Sequence, residues 1–185
     1  MHSMRCMDRA LSSLSLLQGR PEGLKMLTLT AEEMILASEG AVHRARTDIR
    51  QLTEQWDNLH IKFRGDYFAY CKNHMEACAS ELLLARILQL PYPNLRDDRR
   101  KTAADVGGIF EAKVTRYDNG HLILTKYDRP QDIAVLFIGQ CPNYRVAGCY
   151  RVNQAMIDKY RKEDQSFWIP QSDLMPFKAA FIKEE

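Results

Sequence analysis

The sequence predicts a single α/β domain, and three observations point to it. Thr30 and Glu33 have the spacing of a capping box and open a long helical segment. A second helical segment runs from about Asp66 to Leu90, where the prolines of LPYP stop it. The rest of the chain is organised as short apolar runs separated by turn compositions. At 185 residues and 45% hydrophobic content, the chain has enough apolar side chains for one core and is short for two. Residues 26–185 are read as that domain, and residues 1–25 as an N-terminal extension outside the fold.

In the first helix, Ile35, Val42, Ala45, Ile49, Leu52 and Trp56 fall on three- and four-residue steps and predict an apolar stripe facing the core. The same stripe would serve equally well between two copies of the chain, so a homo-oligomer stays open. Arg44, Arg46 and Arg50 read as a solvated basic flank, and Gly40 weakens the helix without ending it. On the second helix, Cys71, His74, Cys78 and Glu81 lie within about 80° of one another, with Tyr70 at the edge. Leu82, Leu83, Ile87 and Leu90 lie beside them, so Glu81 is expected at the margin of the core.

Four strands are expected in the second half: EAKVT (111–115), HLILTKY (121–127), DIAVLFIG (132–139) and YRVAGCY (144–150), separated by DNG, DRP and CPN. The unbroken apolar run 133–138 predicts a central strand covered on both faces, which calls for helices packed against the sheet. A short helix at about Gln154 to Arg161 and an irregular tail, SFWIPQSDLMPF, are expected to close the chain.

Composition excludes several classes. Twenty-six basic against 24 acidic residues leave a net charge of +2, so no global field draws the protein to nucleic acid or to an anionic membrane, and any such binding needs a local patch. The longest apolar stretch, Ile133 to Gly139, is far too short to cross a bilayer, and no membrane partner is expected. Ser12, Ser13 and Ser15 interrupt the apolar part of the N-terminus, which makes it a poor secretory signal. The five cysteines, Cys6, Cys71, Cys78, Cys141 and Cys149, have neither the density of a disulfide scaffold nor the pairs of a zinc ribbon, and fit a reducing interior such as the cytoplasm.

The segment DVGGIFEAK, residues 105–113, concentrates charge where a strand is expected. Alternation places Ile109, Glu111, Lys113 and Thr115 on one face and Phe110, Ala112 and Val114 on the core face. Asp105 joins Glu111 only if the connection has an odd number of residues. A two-residue Gly107-Gly108 turn would oppose Asp105 to Phe110, whereas a three-residue connection or a bulge would oppose it to Glu111. Two converging carboxylates are hard oxygen ligands that favour Mg²⁺ or Mn²⁺, an ion that can clamp a phosphate and acidify a water. Lys113 would then hold or deprotonate the attacking water and offset charge on the phosphate, and Glu81 would be a further ligand or position a water. An ion-paired, exposed strand face is the plain alternative.

A helical Glu, then Asp, then E-x-K on a strand, followed by further strands, resembles the PD-(D/E)XK nuclease superfamily. The closer resemblance is to its short, mainly phage-encoded members, carried here by AYCKNHMEACASE, DVGGIFEAK, IAVLFIG, YRVAGCY and FWIPQSDLMPF in that order, over roughly Met26 to Phe177. The resemblance implies a restriction-endonuclease-like mixed central sheet flanked by helices and Mg²⁺-dependent (or Mn²⁺-dependent) hydrolysis of DNA phosphodiester bonds in phage or mobile-element DNA metabolism. It implies Asp105, Glu111 and Glu81 as acidic metal ligands, the carbonyl of Ala112 as a backbone ligand, and Lys113 as the catalytic lysine. The chain departs from the group around Glu76 to Ser80, where a small-residue pair is usual, and at Cys149, where Trp is frequent.

DNA contact is expected from Arg99, Arg100 and Lys101, which precede Asp105, and from Arg116, which follows Lys113. His74 is a candidate for the scissile phosphate, and Tyr67, Tyr70, Tyr117 and Tyr127 for base stacking or for lining the groove. Cys71, His74 and Cys78 could alternatively hold zinc, but no fourth ligand is evident and packing is favoured. The other functional class is a non-catalytic nucleic-acid-binding or assembly protein on the same fold.

Overall fold

The computed structural model describes residues 26–51, 66–96 and 103–177. The N-terminal extension, Leu52 and Trp56 of the expected stripe, and the basic run Arg99, Arg100 and Lys101 lie outside the described residues, as do the side chains of residues 49–51. The elements in order are β1 (Leu27–Thr28), α1 (Ala31–Gln51), α2 (Tyr67–Ile87), β2 (Phe110–Thr115), β3 (Leu122–Leu124), β4 (Ile133–Gln140), β5 (Asn143–Arg151), α3 (Val152–Ala155) and β6 (Phe167–Ile169). Turns of 3₁₀ helix lie at Asp158–Tyr160 and Gln171–Asp173.

The capping box forms: the Thr30 amide donates to Glu33 Oε2 at 2.7 Å, and the Glu33 amide donates to Thr30 Oγ1 at 3.1 Å. Among the described residues, the α1 stripe is the expected one only at Ala45. Ile35 and Val42 are 60% and 52% exposed, while Glu33, Ala37, Gly40, Ala41 and Ala45 face inward. Close approach explains the difference. A Cβ on Gly40 would stand 2.7 Å from Leu95 Cβ and 3.1 Å from Cys78 Sγ, so this contact admits only small residues. Arg44 is also not on a solvated flank, because it points between the helices.

Asp66 caps α2 by accepting from the Ala69 amide at 2.9 Å. Residues from Cys78 to Ala85 are buried around the whole circumference, because this half of α2 lies between α1 and the sheet. Glu81 is accordingly buried rather than marginal.

The main sheet has the order β1-β5-β4-β2, with β2 parallel to β4 and the other pairs antiparallel. It is therefore a mixed sheet in a mixed α/β domain. Ile133, Val135 and Phe137 of β4 meet the helices, and Ala134, Leu136 and Ile138 meet a second core on the opposite face. Both faces of β4 are covered, but the two long helices cover only one. On the other, β3 and β6 form a two-stranded sheet whose Leu122, Leu124, Phe167 and Ile169 pack against β4 with Val152 and Ala155. A layer of alternating residues buries apolar surface as well as a helix does.

The tail is correspondingly ordered by pairing. Phe167–Ile169 is β6, and Met175 exchanges both backbone hydrogen bonds with Cys149, at 2.9 and 3.0 Å. Three alternating residues are too short a signal to separate from loop in the sequence. The expected helix near Gln154 to Arg161 is split into α3 and the turn Asp158–Tyr160. Among the described residues, no helix is long and apolar enough to cross a membrane.

Candidate active site

The site lies at the free edge of β2, the terminal strand of the main sheet. Val106 and Phe110 exchange both backbone hydrogen bonds at 3.0 Å, so the connection between them is the three residues Gly107 to Ile109. Gly107 and Gly108 take φ of +59° and +83°, which an L side chain rarely adopts. One register step beyond Val106–Phe110, Asp105 falls opposite Glu111. Its Oδ2 accepts from the Ala112 amide at 2.8 Å. A strand residue presents its N–H and C=O at the same edge, so the Ala112 carbonyl lies on the Asp105 side.

A pocket of about 340 Å³ opens here. Arg44, Asp48, His74, Glu81, Asp105, Glu111, Tyr127, Asp128 and Arg129 line it, drawn from α1, α2, β2 and the loops around residues 103–105 and 127–132. Most of its charges are already paired. Arg44 donates through Nη1 and Nη2 to the two oxygens of Glu81 at 2.6 and 2.8 Å, and through Nε to the Leu95 carbonyl at 3.0 Å. Burial acts to lower the Arg44 pKa, but the hydrogen bonds and charge of Glu81 outweigh it and hold the guanidinium above its ordinary value. Arg129 forks onto Asp132 at 2.6 and 2.9 Å and donates to the Gly108 carbonyl at 2.9 Å, tying the glycine connection to the 129–132 turn.

Lys113 Nζ bridges Glu111 Oε1 at 2.9 Å and Asp128 Oδ1 at 2.8 Å. Asp128 is itself fixed, accepting from the Thr125 amide and hydroxyl at 2.6 and 3.0 Å, and its side chain is 1% exposed. Burial works to lower the Lys113 pKa, but the Glu111 and Asp128 charges and hydrogen bonds raise it above the ordinary lysine value. Lys113 is thus held as an ammonium by its two carboxylate neighbours in this arrangement.

Asp105 differs from its neighbours. Burial, then the Glu81 and Glu111 charges, push its carboxyl up to about 8, against the lowering effect of the Ala112 amide and Lys113. Among the described residues, its hydrogen bond is to a backbone amide and none of its contacts is a salt bridge. A carboxyl pressed upward by other carboxylates is what a divalent cation would relieve, and the donor set of Asp105, Glu111 and the Ala112 carbonyl is all hard oxygen, so these residues fit Mg²⁺ or Mn²⁺. Glu81 already accepts from the Arg44 guanidinium through both of its oxygens. Among the described residues, no three His, Cys, Asp or Glu side chains are grouped closely enough to hold an ion by themselves.

His74 lines the pocket, and its ring packs edge-on against Tyr70 at 4.7 Å. Its Nε2 comes within 3.3 Å of Asp48 Oδ2, but the two are not aligned for a hydrogen bond, so this buried nitrogen has no hydrogen-bond partner among the described residues. Tyr70 is buried and its hydroxyl donates to Asp48 at 2.6 Å, which removes the ring from base stacking. Tyr127, 63% exposed at the pocket, is the placed tyrosine that presents its ring there. Arg116 lies past the far end of β2, folded over Tyr117, and does not line the pocket. Cys78 is fully buried against Gly40, and burial pushes its thiol up to about 12, so it behaves as a small apolar side chain.

Sequence reasoning did not single out Arg44 as a partner of Glu81, nor Asp128, Asp48 or Arg129. The Thr125-to-Asp128 turn, in which a side-chain oxygen closes back on the backbone, was the one local signal for Asp128. Comparison with protein-family models, with curated proteins and with solved structures found no match for the chain.

Proposed function

We propose that the protein is a Mg²⁺- or Mn²⁺-dependent nuclease that hydrolyses DNA phosphodiester bonds, on a restriction-endonuclease-like fold of the PD-(D/E)XK type and in phage or mobile-element DNA metabolism. The observation that carries this reading is the register that sets Asp105 opposite Glu111 at an open pocket, with Lys113 next on the same strand face and bonded to the pocket residues Glu111 and Asp128. Asp105, Glu111 and the Ala112 carbonyl would hold the ion, whose chemistry is to polarise the phosphoryl oxygens and acidify a water. The chain's own residues do the rest. Lys113, fixed by Asp128, directs an ammonium toward the developing negative charge. Tyr127 offers an exposed ring at the rim on which a base can stack. Arg96, 62% exposed at the pocket and paired with Glu39 at 2.8 Å, would meet a phosphate by exchanging that partner for it.

The second reading, a non-catalytic nucleic-acid-binding or assembly protein that keeps this fold, is favoured by one feature, the closure of Glu81 by Arg44. The deciding experiment is cleavage of end-labelled linear and closed circular DNA with Mg²⁺, Mn²⁺ or EDTA, comparing wild type with Lys113→Ala and Asp105→Ala. Metal-dependent cutting lost in both variants supports the nuclease. DNA binding without cutting under any metal supports the second reading.

A further inference from the structure

Three carboxylates have been assigned to one ion by analogy, yet they are not equivalent in this chain. Glu81 meets Arg44 as a fork, with both oxygens engaged at 2.6 and 2.8 Å. The guanidinium is held from a third direction by the Leu95 carbonyl at 3.0 Å, so it cannot swing away without breaking three hydrogen bonds. Bidentate arginine–carboxylate pairs are among the strongest charge-assisted bonds, and with Glu81 buried, losing the partner would leave its charge uncompensated. Arg44 and Glu81 therefore form a neutral unit at the pocket wall.

At the β2 edge, among the described residues, Lys113 bridges Glu111 and Asp128, while Asp105 accepts from the Ala112 amide. Resting on the metal-dependent reading above, we infer that Glu81 is not a metal ligand but the residue that positions Arg44, and that the site built on Asp105, Glu111 and Ala112 takes one divalent cation. Arg44 fills the place beside Glu81 where a second cation would otherwise be drawn, so a two-ion arrangement is closed to this chain while the fork is intact.

The test is Mn²⁺ binding to the full chain without DNA, read from the paramagnetic signal of free Mn²⁺. Wild type binds one Mn²⁺ per chain. The double variant Arg44→Met/Glu81→Leu removes a neutral pair and replaces it with apolar volume, a change buried ion pairs often tolerate. It keeps one Mn²⁺ with affinity within about threefold of wild type, whereas Asp105→Asn weakens binding by about tenfold or more. Glu81→Gln, which keeps the shape and an acceptor for Arg44, gives the same answer should the double variant fail to fold. Weakening by Glu81→Gln or by the folded double variant to the degree of Asp105→Asn, or two Mn²⁺ per wild-type chain, overturns the inference while leaving the nuclease reading standing. No Mn²⁺ bound by wild type overturns both, and so the two failures are told apart.

Discussion

Replacing Asp105 with Asn should stabilise the protein at neutral and alkaline pH in the absence of divalent metal. Asp105 is a carboxyl whose folded-state pKa is raised from 3.8 to about 8, by burial first and then by Glu81 and Glu111. The sign follows from linkage. Below about pH 4 the group is protonated in both states and contributes nothing; between about pH 4 and 8 the unfolded chain releases a proton that the folded chain retains, so stability falls as pH rises. Each unit of difference is worth about 1.4 kcal/mol, so at pH 7 the ceiling is about 4 kcal/mol. Water entering the pocket screens part of that, and about 2–3 kcal/mol is expected. Asn keeps an oxygen to accept from the Ala112 amide and carries no charge. For a domain of this size the gain corresponds to roughly 5–10 °C in Tm. Thermal melts of wild type and Asp105→Asn in EDTA between pH 5 and 9 give the answer, with the gap opening as pH rises. Added Mn²⁺ should raise the wild-type Tm by more than that of the variant. Equal melts across the whole range, or a less stable Asn variant at pH 8, would refute the account of Asp105 as an uncompensated carboxyl.

Glu33 should show the opposite pH dependence. Burial acts to raise its pKa, but the Thr30 amide, Tyr92 and Arg86 hold it below the usual carboxylate range, so its contribution is present at neutral pH and is lost as acid protonates it. Glu33→Ala removes the capping box and leaves Arg86 unpaired, costing about 3–5 kcal/mol at pH 7 by urea unfolding and much less at pH 3. Gly40→Ala improves helix propensity by about 1 kcal/mol, yet its methyl would meet Leu95 at 2.7 Å; a net loss of about 1–3 kcal/mol should appear in the same assay. Asp128→Asn should loosen Lys113, seen as faster acylation of that lysine by a limiting reagent with mass-spectrometric readout, while Arg116, beyond the pocket, serves as a site whose replacement leaves the rate unchanged. Gly107→Ala should be more damaging than Gly108→Ala by urea unfolding, because both need positive φ but only the first would strike Leu90, at 2.7 Å.

The parts of the fold that were legible are those whose signal is local. The Thr30–Glu33 reciprocity, the Asp66-to-proline span of α2 and the unbroken apolar run of β4 each depend on neighbouring residues, and each is where the sequence puts it. The α1 face failed because hydropathy weights Ile35 and Val42 above Ala37, Gly40 and Ala41, whereas helix packing at this distance selects for small volume. The cover on the far face of β4 failed for another reason. It is made of three-residue strands, and their pairing of Leu122 with Ile169 spans too much chain for periodicity to register.

The site divides along the same line. Asp105, Glu111 and Lys113 sit within nine residues of one another, and a single parity argument about the glycine connection brings them together. Their electrostatic states come from elsewhere in the chain. Asp128 reaches Lys113 from fifteen residues away and adds a second carboxylate that raises its pKa. Arg44 reaches Glu81 from thirty-seven residues away and joins it in an ion pair. A motif can name the atoms that face one pocket, but the pairing of each charge decides whether an atom is a donor, a ligand or a counter-ion, and that pairing is set by which helix faces and turns the tertiary packing brings to the edge of β2. Among the described residues, Asp105 is the carboxylate at that edge whose hydrogen-bond donor is a backbone amide and not a basic side chain, and for that reason the proposed cation is assigned to it.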